Sequence, residues 1–143
     1  MRPSSLCESL PDHALAAAGS GGPAWPTLLV VDSNPEMLRT LVFFFEKRGF
    51  HVAGAATLAE AKAMFSRCAH WALMIADYHL PDGTGWEFCC WVRDQPRSAP
   101  PFLILSASVN CASFCPDAEF LAKPFRGEEL EARVRSMLQT RSS

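Results

Sequence analysis

No apolar run in this 143-residue chain approaches the roughly 20 residues that a helix needs to span a bilayer. The Ala14 to Ala18 patch is too short for a secretory leader and lacks its basic start, so the expected location is the cytoplasm. An excess of one charge is missing too: 13 Lys and Arg stand against 15 Asp and Glu, for a formal net charge of −2. That balance gives no basic footprint for nucleic acid and no acidic tail. Six cysteines are many, yet Cys7, Cys68, Cys89, Cys90, Cys111 and Cys115 form no CxxC pair and have no histidine pair nearby. Reduced thiols that pack as small hydrophobes are expected. Only Cys111 and Cys115, which would share a helix face, leave a redox or metal pair open. There is no internal repeat.

What is present is one domain's worth of chain, long enough to bury an ordinary core. Residues 1–26 hold Ser, Gly, Pro and Ala, end in GSGGPAWP, and are expected as a flexible tail. Within it Leu6, Leu10 and Leu15 have the spacing of a weak amphipathic turn, and Trp25 is placed to dock on the domain edge. Residues 27–139 form the domain and 140–143 a C-terminal tail. Thr27 to Val31 reads as a buried strand ending at Asp32. Ser33 or Asn34 offers a cap and Pro35 a first helical position. Met37, Leu38, Leu41, Val42, Phe44 and Phe45 then recur at helical spacing until Gly49.

Phe50 to Ala55 is a second strand, and Thr57 with Glu60 opens a helix through about Cys68. ALMIADYHLPDGTGWE, residues 72–87, is the central stretch. An apolar strand ends in Asp77, a Pro-Asp-Gly turn follows, and Thr84 with Glu87 caps a helix to about Val92. Pro101 to Ser106 is an apolar strand, Phe120 to Ala122 a short last one before Lys123 and Pro124, and Glu128 to Leu138 an amphipathic closing helix. Strands alternating with helices imply right-handed crossovers and a parallel sheet covered on both faces.

Four strand ends thus deliver polar groups from apolar surroundings: Asp32, Asp77, Ser106 and Lys123. Taken singly, an acid after a strand is usually a cap or turn former, a Ser a turn residue, and a Lys before Pro a solvated one. In a parallel sheet, however, all four converge on the carboxyl edge, where open α/β folds place their chemistry. Two neighbouring carboxylates repel and favour a divalent cation. Magnesium suits oxygen donors and needs only one or two carboxylates plus phosphate oxygens. Asp77 then serves as nucleophile toward a phosphoryl group, with the Lys123 ammonium and Ser106 hydroxyl on its equatorial oxygens.

With LLVVDSNPEM, ADYHLPDGTG, LILSAS and FLAKPF in place, the sequence from about Thr27 to Leu138 resembles the receiver domains of two-component response regulators. The resemblance implies a flavodoxin-like α/β sandwich with a five-stranded parallel sheet of order 2-1-3-4-5. It implies phosphorylation of Asp77 by a histidine kinase or phosphotransfer protein, and magnesium held by Asp32, Asp77 and the backbone carbonyl of His79. Lys123 would contact the phosphoryl group. Ser106 would move toward it and Phe120 swing inward behind, a switch between two populations. The signal would pass to a downstream protein by contact, with homodimerisation open and no direct nucleic-acid or membrane binding.

Two departures qualify this. The second acid of the family's usual pair is Ser33 here, so magnesium is expected to bind weakly; Ser33 either reaches the ion or caps the following helix. Only sixteen residues separate Ser106 from Lys123, fewer than usual, and VNCASFCP is a poor helix former, so the fourth helix is expected to be short or irregular. The alternative is a receiver-like interaction module independent of phosphate. An enzyme is not expected. Aspartate-nucleophile phosphatases share this architecture but normally carry a second acid two residues after the nucleophile, where His79 stands. A flavin site lacks a glycine- or hydroxyl-rich phosphate cradle after the first strand. Because the sequence stops just after the last helix, a stand-alone receiver or a piece of a longer regulator or hybrid kinase is expected.

Overall fold

The computed structural model describes residues 25–68, 70–107 and 118–142. In chain order the elements are β1 (Thr27–Val31), α1 (Pro35–Glu46), β2 (His51–Ala55), α2 (Leu58–Arg67), β3 (Leu73–Asp77), the two-residue strands β4 (His79–Leu80) and β5 (Gly83–Thr84), α3 (Gly85–Arg93), β6 (Phe102–Ser106), β7 (Ala118–Ala122) and α4 (Gly127–Ser142). The five longer strands form one parallel sheet in the order β2-β1-β3-β6-β7. Leaving aside the small β4–β5 hairpin, which the sequence shows only as a turn, this is the expected order 2-1-3-4-5. The expected short fourth helix falls on residues outside those described.

The inner strands carry continuous apolar runs because both faces of the sheet are covered. Leu28 to Val31 and Leu73 to Ala76 are all fully buried. On one face Leu28, Val30, Leu73, Ile75, Leu103 and Leu105 meet Leu41 and Phe45 of α1 and Leu130 and Val134 of α4. On the other, Leu29, Val31, Met74, Ala76 and Phe102 meet Phe65 of α2 and Phe88 and Val92 of α3. Each fully buried Leu or Phe contributes roughly 1.5–3 kcal/mol, so these two layers hold the strands in place on both faces of the sheet. Trp25 does dock at the domain edge, stacked on His51 with ring centroids 5.1 Å apart.

Helix starts are set by side chains. At α1 the cap is Asn34, whose Oδ1 accepts from the N–H groups of Glu36 (2.9 Å) and Met37 (3.2 Å). Ser33 is exposed and does not cap, which corrects one of its two sequence readings. The reason is local: the Asp32 carboxylate accepts from the Asn34 N–H at 2.9 Å and turns the chain so that Asn34 reaches the cap position. At the far end Gly49, with φ of +94°, takes the left-handed conformation that stops the helix.

At α2, Thr57 Oγ1 accepts from Glu60 N–H at 3.0 Å, and Glu60 reaches back to Ala56 N–H at 2.8 Å. Two further amides of that first turn, Leu58 and Ala59, donate to Asp82 Oδ1 (2.7 Å) and Oδ2 (3.0 Å) from the β4–β5 hairpin. The Thr84–Glu87 capping box at α3 is complete. Among the cysteines, Cys89 and Cys90 are not in disulfides. Cys68 is disulfide-bonded, against the expectation of reduced thiols throughout. It sits in extended backbone just past α2, and no recognisable Cys spacing in the sequence marks it for pairing.

Replacing the α1 cap gives a direct check. Asn34→Ala should lower stability by about 1 kcal/mol in urea unfolding, while Ser33→Ala should stay within about 0.5 kcal/mol of wild type.

Candidate functional site

The carboxyl edge of the sheet is fixed by main-chain bonds that run one residue past each strand. Asp32 N–H donates to Ala55 carbonyl (3.0 Å), Tyr78 N–H to Leu105 carbonyl (2.8 Å), and Lys123 N–H to Ser106 carbonyl (2.8 Å). These bonds carry the parallel register into the loops, so residues 32, 77, 106 and 123 reach the same rim. The outcome is an ion pair between Lys123 Nζ and Asp77 Oδ1 at 3.1 Å, with the two side chains 29% and 14% exposed. The peptide bond from Lys123 to Pro124 is cis.

Asp32 lies beside them and is only 1% exposed. Its Oδ1 holds the Asn34 amide, while its buried Oδ2 has no hydrogen-bond partner among the described residues. Burial pushes the Asp32 carboxyl above the ordinary carboxylate range; the Asn34 amide pulls it down, the Asp77 charge pushes it up, and the Lys123 charge pulls it down. A buried carboxylate oxygen with nothing to accept from, next to a second carboxylate, is the donor set a hard cation would complete. The residues therefore fit magnesium. Among the described residues no cluster of three or more His, Cys, Asp and Glu is assembled.

The remaining residues fall into place unequally. Ser106 is buried at the end of β6, opposite Ala122 of β7. Phe120 is half-buried against the α2–α3 layer, and its carbonyl accepts from Arg133 at 3.0 Å. His79 is exposed on β4, its ring set edge-on to Tyr78. Ser33 lies exposed one residue after Asp32. Sequence reasoning missed two contacts. A Cβ on Gly85 would lie 2.6 Å from the Asp77 carbonyl oxygen, so only glycine lets α3 begin against the acid. Asp82 bridges to α2 across 24 positions of sequence, a separation with no local signal.

The buried acid also has a stability consequence. Its folded-state pKa is raised, so the stability it lends is present below the ordinary value near 3.8 and lost as pH rises through the folded value. Asp32→Asn, which keeps the shape without the charge, should be more stable than wild type at pH 7.5 by about 1 kcal/mol. The advantage should shrink toward zero near pH 4. Urea unfolding of both proteins across that range measures it.

Comparison with known proteins agrees with this geometry. Residues 28–135 match the family model described as response regulator receiver domain. The transcriptional regulatory protein GltR of Pseudomonas aeruginosa is 32% identical over 120 residues, covering 79% of this chain and 49% of that protein. The chain thus spans about half the length of the curated relatives it matches. A putative response regulator from Chloroflexus aurantiacus superposes with a TM-score of 0.72 at 31% identity, covering 80% of this chain and 98% of that one. The response regulator protein TrrA of Thermotoga maritima, solved in complex with Mg2+ and BeF, gives 0.69 at 26% identity, covering 78% and 98%. With its sheet order, its acid and lysine at one rim and a family match over most of its length, this chain belongs to the response regulator receiver domains, the signalling modules of two-component systems.

Proposed function

We propose that the chain accepts a phosphoryl group on Asp77 from a histidine kinase or phosphotransfer protein and relays the change by protein contact. The observation that carries this is the Asp77–Lys123 ion pair beside the partnerless Asp32 Oδ2. The pair holds the Asp77 side chain oriented and only slightly exposed, as suits a nucleophile. A carboxylate oxygen of Asp77 attacks phosphorus, the phosphorus–nitrogen bond of the donor breaks, and an acyl phosphate remains. Magnesium, when bound, would neutralise charge on the entering phosphoryl oxygens. Asp32, Asp77 and the His79 main-chain carbonyl are the residues that would hold it, with Ser33 as an added neutral donor. Lys123 would transfer its contact from the carboxylate to a phosphoryl oxygen.

Ser106 and Phe120 supply the switch on this reading. Ser106 is the last residue of β6, and its carbonyl is bonded to Lys123 N–H. A pull on its hydroxyl therefore acts on the same β6–β7 rung that carries the lysine, and Phe120 lies two residues before that rung's β7 member, Ala122. Among the described residues no helix is long and apolar enough to cross a membrane. Relay by contact with other proteins is the role this reading assigns to the domain.

Two measurements test it. Incubation with acetyl phosphate and magnesium should add the mass of one phosphoryl group to wild type and none to Asp77→Asn. Beryllofluoride with magnesium should change tryptophan fluorescence, since Trp86 is the second residue of α3, directly after the glycine packed on the Asp77 carbonyl. No mass gain and no fluorescence change at high magnesium would leave a phosphate-independent interaction module. In parallel, Ser33→Asp should tighten magnesium binding about tenfold, by restoring a charged oxygen donor; an unchanged Kd would remove Ser33 from the metal's surroundings.

A further inference from the structure

We propose that Asp82 is a positioning residue for the acceptor loop: by gripping the first turn of α2 it fixes the hairpin that carries His79 beside Asp77. This rests on the phosphoacceptor reading and adds to it a residue that touches neither metal nor phosphoryl group.

The hairpin is two residues on each side, with His79 opposite Thr84 and Leu80 opposite Gly83, and Pro81–Asp82 as its turn. An isolated ladder of this size is marginal in water, so something outside must hold it. Three anchors do so. Asp82 accepts from Leu58 and Ala59 N–H at 2.7 and 3.0 Å, satisfying two amides at the start of α2 that have no acceptor within the helix. Gly83 lies so close to α2 and α3 that a Cβ there would be 2.5 Å from Leu58 Cδ2 and 2.6 Å from Glu87 Oε1. Thr84 is the α3 cap, its N–H held by Glu87 at 2.9 Å.

The ladder pattern then says where the His79 carbonyl goes. Gly85 N–H donates to the Tyr78 carbonyl at 2.8 Å, and Thr84 N–H is taken by Glu87. Alternation in an antiparallel pair makes 78–85 and 80–83 the bonded pairs and 79–84 a non-bonded one. The His79 peptide groups therefore point away from the hairpin partner, which leaves its carbonyl for another acceptor role. Its position depends on the hairpin staying put, and Asp82 is the anchor on the side facing α2. Consistent with a grip that needs the ionised form, the Asp82 carboxyl is held below its ordinary range, first by the Leu58 amide and then by that of Ala59.

The test compares the full chain as wild type, Asp82→Ala, Asp82→Asn and Thr57→Ala. Thr57 also caps α2, through Glu60 N–H, and its side chain makes no hydrogen bond to the hairpin among the described residues. Thermal melting, magnesium titration of tryptophan fluorescence, and hydrogen exchange at the His79 and Leu80 amides are the readouts. Both Ala variants should melt lower than wild type. Only Asp82→Ala should weaken magnesium binding, by about tenfold, and speed exchange in the hairpin. Asp82→Asn retains the turn preference and one acceptor oxygen, should fall between, and serves if Asp82→Ala does not fold. If Asp82→Ala and Thr57→Ala have the same Kd and the same hairpin exchange, Asp82 is only a helix cap and the proposal is overturned. A wild type that ignores magnesium instead removes the phosphoacceptor reading, and hairpin exchange alone then decides whether Asp82 positions the loop.

Discussion

The contact between Lys123 Nζ and Asp77 Oδ1 depends on nearly everything else in the domain. The two residues come from β3 and from the loop after β7, and they meet because β6 stands between those strands with matched register on both sides. β3 and β6 are aligned by apolar layers on both faces, so a slip of one residue there would send a run of buried side chains to the wrong layer. The packing thus protects the alignment, and the alignment protects the ion pair. Partial exposure keeps the pair's own contribution to stability small. Its value lies in orientation, since it holds the Asp77 side chain at a rim where the main chain is already fixed.

Asp32 shows the opposite balance. A carboxylate at 1% exposure with one oxygen lacking a hydrogen-bond partner, set beside a second acid, opposes folding. The surroundings do little to relieve it beyond one amide and the nearby lysine charge. Such a feature makes sense where the missing interaction arrives from outside, because a ligand that binds only the folded form adds its binding free energy to stability. The least comfortable atom of the site is therefore the one best suited to a cation on the proposed reading.

Much of this was legible in the sequence. The strands ending in Asp32, Asp77 and Ser106 announced themselves as apolar runs broken by one polar residue, and Thr84 with Glu87 marked the start of α3. The strand order itself followed from the resemblance to receivers. What stayed hidden was non-local or depended on choosing between adjacent residues. Ser33 and Asn34 are both good caps by type, and only the Asp32–Asn34 hydrogen bond selects the second. Gly85 reads as a small residue at a helix start until the Asp77 carbonyl is seen against it. Asp82 reads as a turn former, because its partners Leu58 and Ala59 lie 24 and 23 positions earlier in the chain. The bond that fastens α2 to the acceptor loop could not be read from either segment alone.

Ser33 gives these observations a common direction. With two acids and one lysine at the rim, the formal charge there is less negative than a third acid would make it. On the proposed reading a cation would be held less tightly, and the lysine would offset a larger share of the charge that a phosphoryl group brings, since Coulomb attraction is the main term acting on that group. A site that leans on lysine rather than on metal needs its geometry set by the protein. That is what the bonded strand ends, the glycine under the Asp77 carbonyl and the carboxylate clamp on α2 provide: a rim held by contacts within the protein that do not wait for the ion.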